Sequence, residues 1–155
     1  MFNKPFIKKV SVVKYKWKGL MPMPMPFKKI FDAKKISPSY TRTRIYAFLE
    51  TNKTHPTVEM IYQELKEELP TLSKTTVYNV LNLFIEKGLV KLVNMSSTET
   101  RYELDLYDHS HFKCEKCGKI YDIPKVKTTY DGSVLSEFAI KDEVVNLTGI
   151  CPKCL

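Results

Sequence analysis

The chain has 155 residues, of which 43% are apolar, and it carries a formal net charge of +8. Its length suits one ordinary domain or two small ones, and its apolar content excludes an intrinsically disordered chain. The first residues do not resemble a secretory leader and no apolar stretch is long enough to cross a membrane, so we expect a cytoplasmic protein with reduced cysteines.

The positive charge is concentrated at the amino terminus. Residues 1–36 hold ten lysines against one acid, Asp32, whereas the remainder holds 15 basic and 16 acidic side chains. The run Met21-Pro22-Met23-Pro24-Met25-Pro26 interrupts helices and strands, so residues 1–26 are predicted to form a basic, poorly ordered arm. Two interpretations stay open, namely a tail that lies on nucleic-acid phosphates and a leader that precedes a later start codon.

Four amphipathic segments follow the arm. The first covers residues 27–35, and the next three are predicted to begin at Ser37-Pro38-Ser39, at Thr57 and at Ser73, because apolar side chains then recur at helical spacing. Gly88 is predicted to end the last helix, whose face opposite the core is polar.

Two strands are predicted after the last helix, over residues 89–94 and 100–106, around a polar turn at Ser96-Ser97-Thr98-Glu99. Helices followed by such a hairpin form a winged-helix domain, which would span residues 27–106 and bind DNA through the helix that begins at Ser73. The alternative is a small helical domain that binds no DNA, since helix-turn-helix geometry also occurs in such proteins.

The most specific local pattern is a pair of Cys-x-x-Cys steps, Cys114 to Cys117 and Cys151 to Cys154. Each step places two sulfurs on the same side of a tight turn, and two such turns complete a closed tetrahedral site for structural Zn²⁺. Disulfides or inert buried thiols are the competing interpretation, which the doubled spacing disfavours.

A His-x-His step, His109-Ser110-His111, leads directly into the first cysteine pair. In an extended segment the two imidazoles face the same side, where they offer nitrogen ligands to a different ion in a more open site. The sequence therefore predicts two metals with different roles in a small α/β module over residues 107–155. Strands are predicted there over 112–123 and 139–148, with a helical turn over 134–138.

In combination, these motifs resemble the ferric uptake regulator family of metal-dependent bacterial repressors, which includes peroxide-stress sensors. The similarity covers residues 36–154 and rests on His55-Pro56-Thr57, the run 73–81, the run 86–90, Arg101-Tyr102-Glu103, the run 108–111 and both cysteine pairs. It implies an α+β fold and a homodimer in which α/β dimerisation domains hold two winged helices. Double-stranded operator DNA is the implied partner.

The resemblance also implies a regulatory ion between the two domains. Its ligands would be the three histidines of the chain and two carboxylates, namely His55, Glu103, His109, His111 and Asp122. Nitrogen and oxygen ligands without sulfur favour Fe²⁺ or Mn²⁺. Without the resemblance, the two acids would be taken for ordinary surface carboxylates.

The branch of the family is a separate question. The chain has no spare cysteine for the sensing site of the zinc-uptake branch, while Asp108 to His111 and Asp122 resemble peroxide sensors, in which bound iron directs oxidation of a ligand histidine. Glu103 stands where those sensors usually carry Asp and is more typical of iron-responsive members. We favour peroxide sensing over iron-responsive regulation. The interval between Asp122 and Cys151 is shorter than in the peroxide sensors, which predicts a short or missing dimerisation helix.

A repressor would contact DNA through the polar face of the helix that begins at Ser73, and the predicted contact residues are Lys74, Thr75, Thr76, Tyr78 and Asn79. Two rival classes are a zinc-ribbon protein-interaction module and a hydrolytic metalloenzyme. The enzyme is disfavoured because catalytic zinc needs an open position and a nearby general base, and the chain lacks His-Glu-x-x-His. We therefore expect neither an enzyme nor a small-molecule substrate.

Overall fold

The structure is a computed structural model that describes residues 25–95 and 99–155. The helices of the described residues are α1 (Met25–Ala33), α2 (Tyr40–Thr51), α3 (Val58–Leu65), α4 (Lys74–Glu86) and α5 (Gly132–Leu135). Their strands are β1 (Val90–Val93), β2 (Arg101–Leu104), β3 (His109–Cys114), β4 (Ile120–Pro124) and β5 (Asn146–Gly149). The fold is the expected winged-helix unit followed by an α/β module, which we call the winged-helix half (residues 25–106) and the module (residues 107–155).

Local sequence signals fix the helices of the winged-helix half. Ser39, Thr57 and Ser73 cap α2, α3 and α4, because each side-chain oxygen accepts a hydrogen bond from a backbone N–H of the first helical turn. Gly88 follows α4 with a φ of +61°, in the left-handed region that glycine adopts at the end of a helix. The predicted starts of these three helices are confirmed.

An aromatic cluster forms the centre of the core. The ring of Tyr46 lies 5.4 Å from that of Phe27 and 5.7 Å from that of Phe31, and Phe31 also packs against Phe84 at 5.7 Å. Phe27 and Phe31 are buried and Ile30 packs beside them, so the amphipathic segment predicted over residues 27–35 contributes one apolar face to the core. Helix α1 begins earlier than predicted, at Met25.

The wing is an antiparallel pair in which Lys91 of β1 lies opposite Glu103 of β2. The predicted turn at Ser96-Ser97-Thr98 and residues 1–24 of the predicted arm lie outside the described residues. No helix within residues 25–95 and 99–155 is long and apolar enough to cross a membrane.

The module contains a three-stranded sheet in the order β4-β3-β5, in which β3 is antiparallel to β4 and parallel to β5. The single strand predicted over 112–123 is wrong. The chain turns back after Cys114, where its N–H donates to the carbonyl of Lys119 at 2.9 Å and Gly118 adopts a φ of +70°. The segment therefore forms the end of β3 and the start of β4.

The rest of the module is less regular than predicted. The strand expected over 139–148 is confined to β5 at its carboxyl end, and the helix expected over 134–138 is the single turn α5, which Asp131 caps. The shortened helix agrees with the short interval between Asp122 and Cys151.

Candidate metal centres

The four cysteines converge at one end of the module, and we call them the cysteine cluster. Cys114 ends β3, Cys117 lies in the turn after it, and Cys151 and Cys154 follow β5; their sulfurs all lie within 4.8 Å of one another. All four are free thiols, and the sulfurs of Cys117 and Cys151 are 3.9 Å apart, far beyond the length of a disulfide bond. The structure therefore contains no disulfide among these residues.

Hydrogen bonds to two of these sulfurs favour the thiolate form, which binds a cation. The backbone N–H groups of Cys151 and Cys117 donate to the Cys114 sulfur at 3.4 and 3.5 Å, which lowers the pKa of the Cys114 thiol to about 6. The Tyr121 hydroxyl donates to the Cys151 sulfur and lowers its pKa. The Cys154 thiol instead donates to Cys151, which raises the pKa of Cys154 to about 12. The crowded sulfurs thus share protons, and a bound cation would allow all four to ionise.

A second group, the histidine–carboxylate cluster, brings together five side chains whose ligand atoms lie within 4.8 Å of one another: His55, Glu103, His109, His111 and Asp122. These are the residues implied by the resemblance. The pleat of β3 puts His109 and His111 on the same face, and Asp122 of β4 lies directly opposite His111. His55 precedes α3 and Glu103 belongs to β2, so the winged-helix half supplies the other two members.

The carboxylates face the imidazole nitrogens at short range. Glu103 Oε2 lies 3.1 Å from His55 Nε2 and 3.2 Å from the Nε2 atoms of both His109 and His111. Asp122 Oδ1 lies 2.7 Å from His55 Nε2 and 3.6 Å from His109 Nε2. Three nitrogens and two carboxylates therefore enclose one small space.

The hydrogen bonds of His109 indicate that a proton or a cation lies between its ring and Glu103. His109 Nδ1 lies 3.0 Å from the backbone carbonyl of Tyr107, which can only accept a hydrogen bond, so Nδ1 carries a proton. In the neutral ring, Nε2 then presents its lone pair to Glu103 Oε2, which is also an acceptor. Two acceptors at 3.2 Å repel unless a proton or a metal ion lies between them.

The pKa shifts in the cluster also indicate that this space attracts positive charge. Burial lowers the pKa of His55, but hydrogen bonds and charges of Asp122 and Glu103 outweigh it and raise the pKa to about 9. Burial raises the carboxyl pKa of Glu103, yet His111 and His55 bring it well below its ordinary value, and His55 likewise lowers the pKa of Asp122. The negative charge of the two carboxylates thus draws a positive charge onto the neighbouring imidazole.

Two buried atoms of the cluster, His55 Nδ1 and Glu103 Oε1, have no hydrogen-bond partner. The amino group of Lys91 approaches Glu103 Oε1 to 3.5 Å, which is an ion-pair distance. Buried polar atoms are rarely left unpaired, and an ion would be a suitable partner for Glu103 Oε1. His55 Nδ1 lies across the ring from the Nε2 atom that faces the carboxylates, so an ion in the cluster would not reach it. Three imidazoles and two carboxylates without sulfur form a suitable donor set for Fe²⁺ or Mn²⁺, so the residues fit such an ion.

The loop that carries His55 is anchored by β2. His55 has a φ of +52°, an uncommon conformation for a residue with a side chain. The Arg101 guanidinium donates to the His55 carbonyl at 3.0 Å, and the Tyr102 N–H donates to the Pro56 carbonyl at 3.1 Å. No local sequence pattern indicates this role of Arg101, because its partner loop is distant along the chain.

The five predicted DNA-contact residues lie in the first turns of α4 but are not equivalent. Thr75, Tyr78 and Asn79 are exposed, whereas Thr76 is half-buried and hydrogen-bonds to the capping residue Ser73. The amino group of Lys74 is paired with Glu59 of α3 at 2.5 Å and lies 5.8 Å from the centre of the Tyr62 ring. The structure thus leaves three of the five free at the surface.

Comparison with known proteins decides the family. Residues 34–145 match the ferric uptake regulator family. This chain belongs to that family. The peroxide-responsive repressor PerR of Staphylococcus aureus is 31% identical over 116 residues, which cover 73% of this chain and 78% of the relative.

Solved structures agree with this assignment. The Campylobacter jejuni peroxide stress regulator is similar with a TM-score of 0.59 and 27% identity, covering 86% of this chain and 100% of that one. The ferric uptake regulator of Francisella tularensis, solved with iron, has a TM-score of 0.60 and 25% identity, covering 77% of this chain and 94% of that one. The family consists of metal-dependent transcriptional regulators that bind DNA. The chain is therefore such a regulator and not a hydrolytic metalloenzyme.

Proposed function

We propose that this protein is a repressor that binds double-stranded operator DNA as a homodimer in the cytoplasm when a regulatory metal is present. The cysteine cluster would hold structural Zn²⁺, and the histidine–carboxylate cluster would hold Fe²⁺ or Mn²⁺. One observation carries the proposal: His55 and Glu103 of the winged-helix half meet His109, His111 and Asp122 of the module within 4.8 Å.

The position of this cluster suggests how the metal would control DNA binding. A bound divalent cation supplies positive charge that offsets both carboxylates and satisfies imidazole nitrogens from both halves. Without it, Glu103 and Asp122 repel each other unless His55 stays protonated, and the connection between the halves is weaker. Glu103 in the wing and His55 ahead of α3 thereby couple the site to the elements that surround α4.

The exposed face of α4 is suited to a major groove. Tyr78 would pack on sugar and thymine methyl surfaces, Asn79 would pair with a base edge, and Lys74 would bind a phosphate. Because Lys74 pairs with Glu59 in the structure, a DNA phosphate would have to replace that carboxylate. Two copies in a dimer would place their α4 helices in successive grooves of a pseudo-palindromic operator.

The DNA test uses one cluster residue and its neighbour. Operator DNA is first selected from a random-sequence pool with the wild-type protein and Mn²⁺, and binding is then measured by fluorescence anisotropy with and without Mn²⁺. His109→Ala should lose metal-dependent binding while it keeps its dimer and its zinc. Asp108→Ala is the matched control, because Asp108 is exposed and pairs with Lys125 outside the cluster. Unchanged metal-dependent binding by His109→Ala would refute the site.

We infer peroxide as the signal, because the chain is similar to regulators named for peroxide from two organisms. Iron-responsive regulation is the second candidate, and Glu103 favours it, since the longer carboxylate is more typical of iron-responsive members. Mass spectrometry separates the two. Peroxide added to the iron-loaded protein should add one oxygen atom to His55 or His109 and abolish DNA binding. Unmodified histidines with intact DNA binding would instead assign the protein to iron sensing.

A further inference from the structure

Tyr107 contacts the histidine–carboxylate cluster from outside. Its ring lies 4.7 Å from the imidazole of His109, centre to centre, at an interplanar angle of 39°. Its backbone carbonyl accepts the Nδ1 proton of the same histidine at 3.0 Å. One residue therefore fixes both the orientation and the tautomer of His109, and it leaves Nε2 directed at the centre of the cluster.

The same tyrosine reaches a second member of the cluster. Its phenol lies near the Asp122 carboxylate of β4, and burial together with that carboxylate raises the pKa of the phenol. Asp122 is the more exposed of the two carboxylates, at 27% of its side-chain surface against 10% for Glu103. A phenol that donates to Asp122 would hold in place the ligand that solvent reaches most easily.

Two cavities meet at Tyr107. A pocket of about 10 Å³, large enough for about one water-sized group, is lined by cluster members that include His55, Glu103 and Asp122. A cleft of about 620 Å³ lies between the wing and residues 140–144 and opens to solvent. Tyr107 and His109 line both cavities, so these two residues lie where the ion-sized pocket borders the open cleft.

We propose that Tyr107 is a cover of the regulatory metal site, which orders His109 and Asp122 and slows the exchange of the ion with solvent. The inference rests on the proposed metal site and adds a residue to it that binds no metal itself. For an ion to leave toward the cleft past Tyr107, the ring would have to swing away from His109. The ring contact opposes that motion.

The kinetics of metal release test the cover. Wild-type protein, Tyr107→Ala and Tyr107→Phe are loaded with Co²⁺, mixed rapidly with excess chelator, and followed by the visible absorption of the bound ion. We expect release from Tyr107→Ala to be faster by on the order of ten-fold, the scale of one lost contact. Tyr107→Phe keeps the ring and loses the hydroxyl, so its rate should be intermediate.

The absorption spectrum supplies a second readout that a general loss of stability would not change. A disordered His109 or Asp122 alters the coordination of Co²⁺, so the bands of Tyr107→Ala should shift and those of Tyr107→Phe should shift less. Tyr130→Ala is the matched control, because Tyr130 is 54% exposed, close to the 55% of Tyr107, and lies outside the cluster. Its rate and spectrum should equal those of the wild type.

The outcomes separate the cover from the site beneath it. Equal release rates for wild type and Tyr107→Ala would overturn the cover, provided that His109→Ala still weakens Co²⁺ binding. If His109→Ala has no effect on Co²⁺ binding, the assignment of the metal site is wrong, and the proposed cover is wrong as well. If Tyr107→Ala loses its zinc, the test relies on Tyr107→Phe instead. A wild-type release rate and a wild-type spectrum for Tyr107→Phe would contradict a role of the hydroxyl in the cover.

Discussion

The winged-helix half and the module bury different kinds of side chain. In the winged-helix half one continuous apolar cluster surrounds Phe31 and Phe84, both 0% exposed. In the described part of the module, large apolar side chains such as Phe138 lie at the surface, 68% exposed. The buried side chains there are polar or sulfur-bearing: Ser110, His111, Cys114 and Cys151.

The difference shows where each half obtains its stability. The winged-helix half is stabilised by its apolar core, since each Å² of buried apolar surface contributes about 25 cal/mol. The module has too little apolar burial of its own, so we infer that it depends on metal ligation and on a second copy of the chain that covers its exposed apolar side chains. The sensing cluster lies where these two kinds of structure meet.

The largest expected effect comes from removing the zinc ligands. Structural zinc contributes on the order of 10 kcal/mol in small domains, more than the module can replace. Cys114→Ser should therefore lose zinc and the hydrogen-exchange protection of β3, β4 and β5, while α2 and α4 stay protected. Glu115→Ala, in the same turn, is the control and should keep both. Protected strands in a zinc-free protein would contradict the inference that the module depends on metal ligation.

Truncating one aromatic side chain in each half gives the next largest effect. Phe84→Ala should cost about 3–5 kcal/mol at every protein concentration, because it opens a cavity in an internal core. Phe138→Ala should leave the stability of dilute, monomeric protein unchanged and lower the Tm only at concentrations where the dimer forms. Thermal unfolding over a dilution series measures both. A concentration-independent loss for Phe138→Ala would mean that the module has a core of its own.

The pH dependence of the metal-free protein has a smaller expected amplitude. The pKa of His55 rises from an ordinary value of 6.5 to about 9 in the folded state, so the folded chain holds this proton more tightly than the unfolded chain does. The resulting stabilisation is complete below pH 6.5 and is lost as the pH rises to 9, an effect of up to about 3 kcal/mol. Urea unfolding of metal-free wild type should show the decline, and His55→Gln should flatten it. A rise in stability over this window would contradict the assignment.

Much of the winged-helix half could be predicted because its signals are local. Ser39, Thr57 and Ser73 each cap the helix that immediately follows, and the apolar spacing behind them identifies the buried face. In the module, a strand pattern continues through the turn at Cys114 to Gly118, so the sequence predicts a single strand where the structure has a hairpin. The cysteines set the path of the chain in this turn, and the alternation of apolar and polar side chains does not indicate it.

The candidate site shows the same contrast. Histidines and cysteines could be singled out by residue type and spacing, whereas Glu103 and Asp122 required the family resemblance, because surface carboxylates are common. Arg101 and Tyr107 were missed, since their contacts with His55 and His109 depend on how the two halves approach each other. No local pattern in the sequence contains that information.

The central claim is that five side chains from both halves bind one exchangeable ion. Anomalous diffraction from crystals grown with Mn²⁺ tests it most directly. We predict one manganese peak per chain, coordinated by His55, Glu103, His109, His111 and Asp122, and separate from the ion of the cysteine cluster. A manganese peak elsewhere, or an ion bound by residues of only one half, would contradict the account.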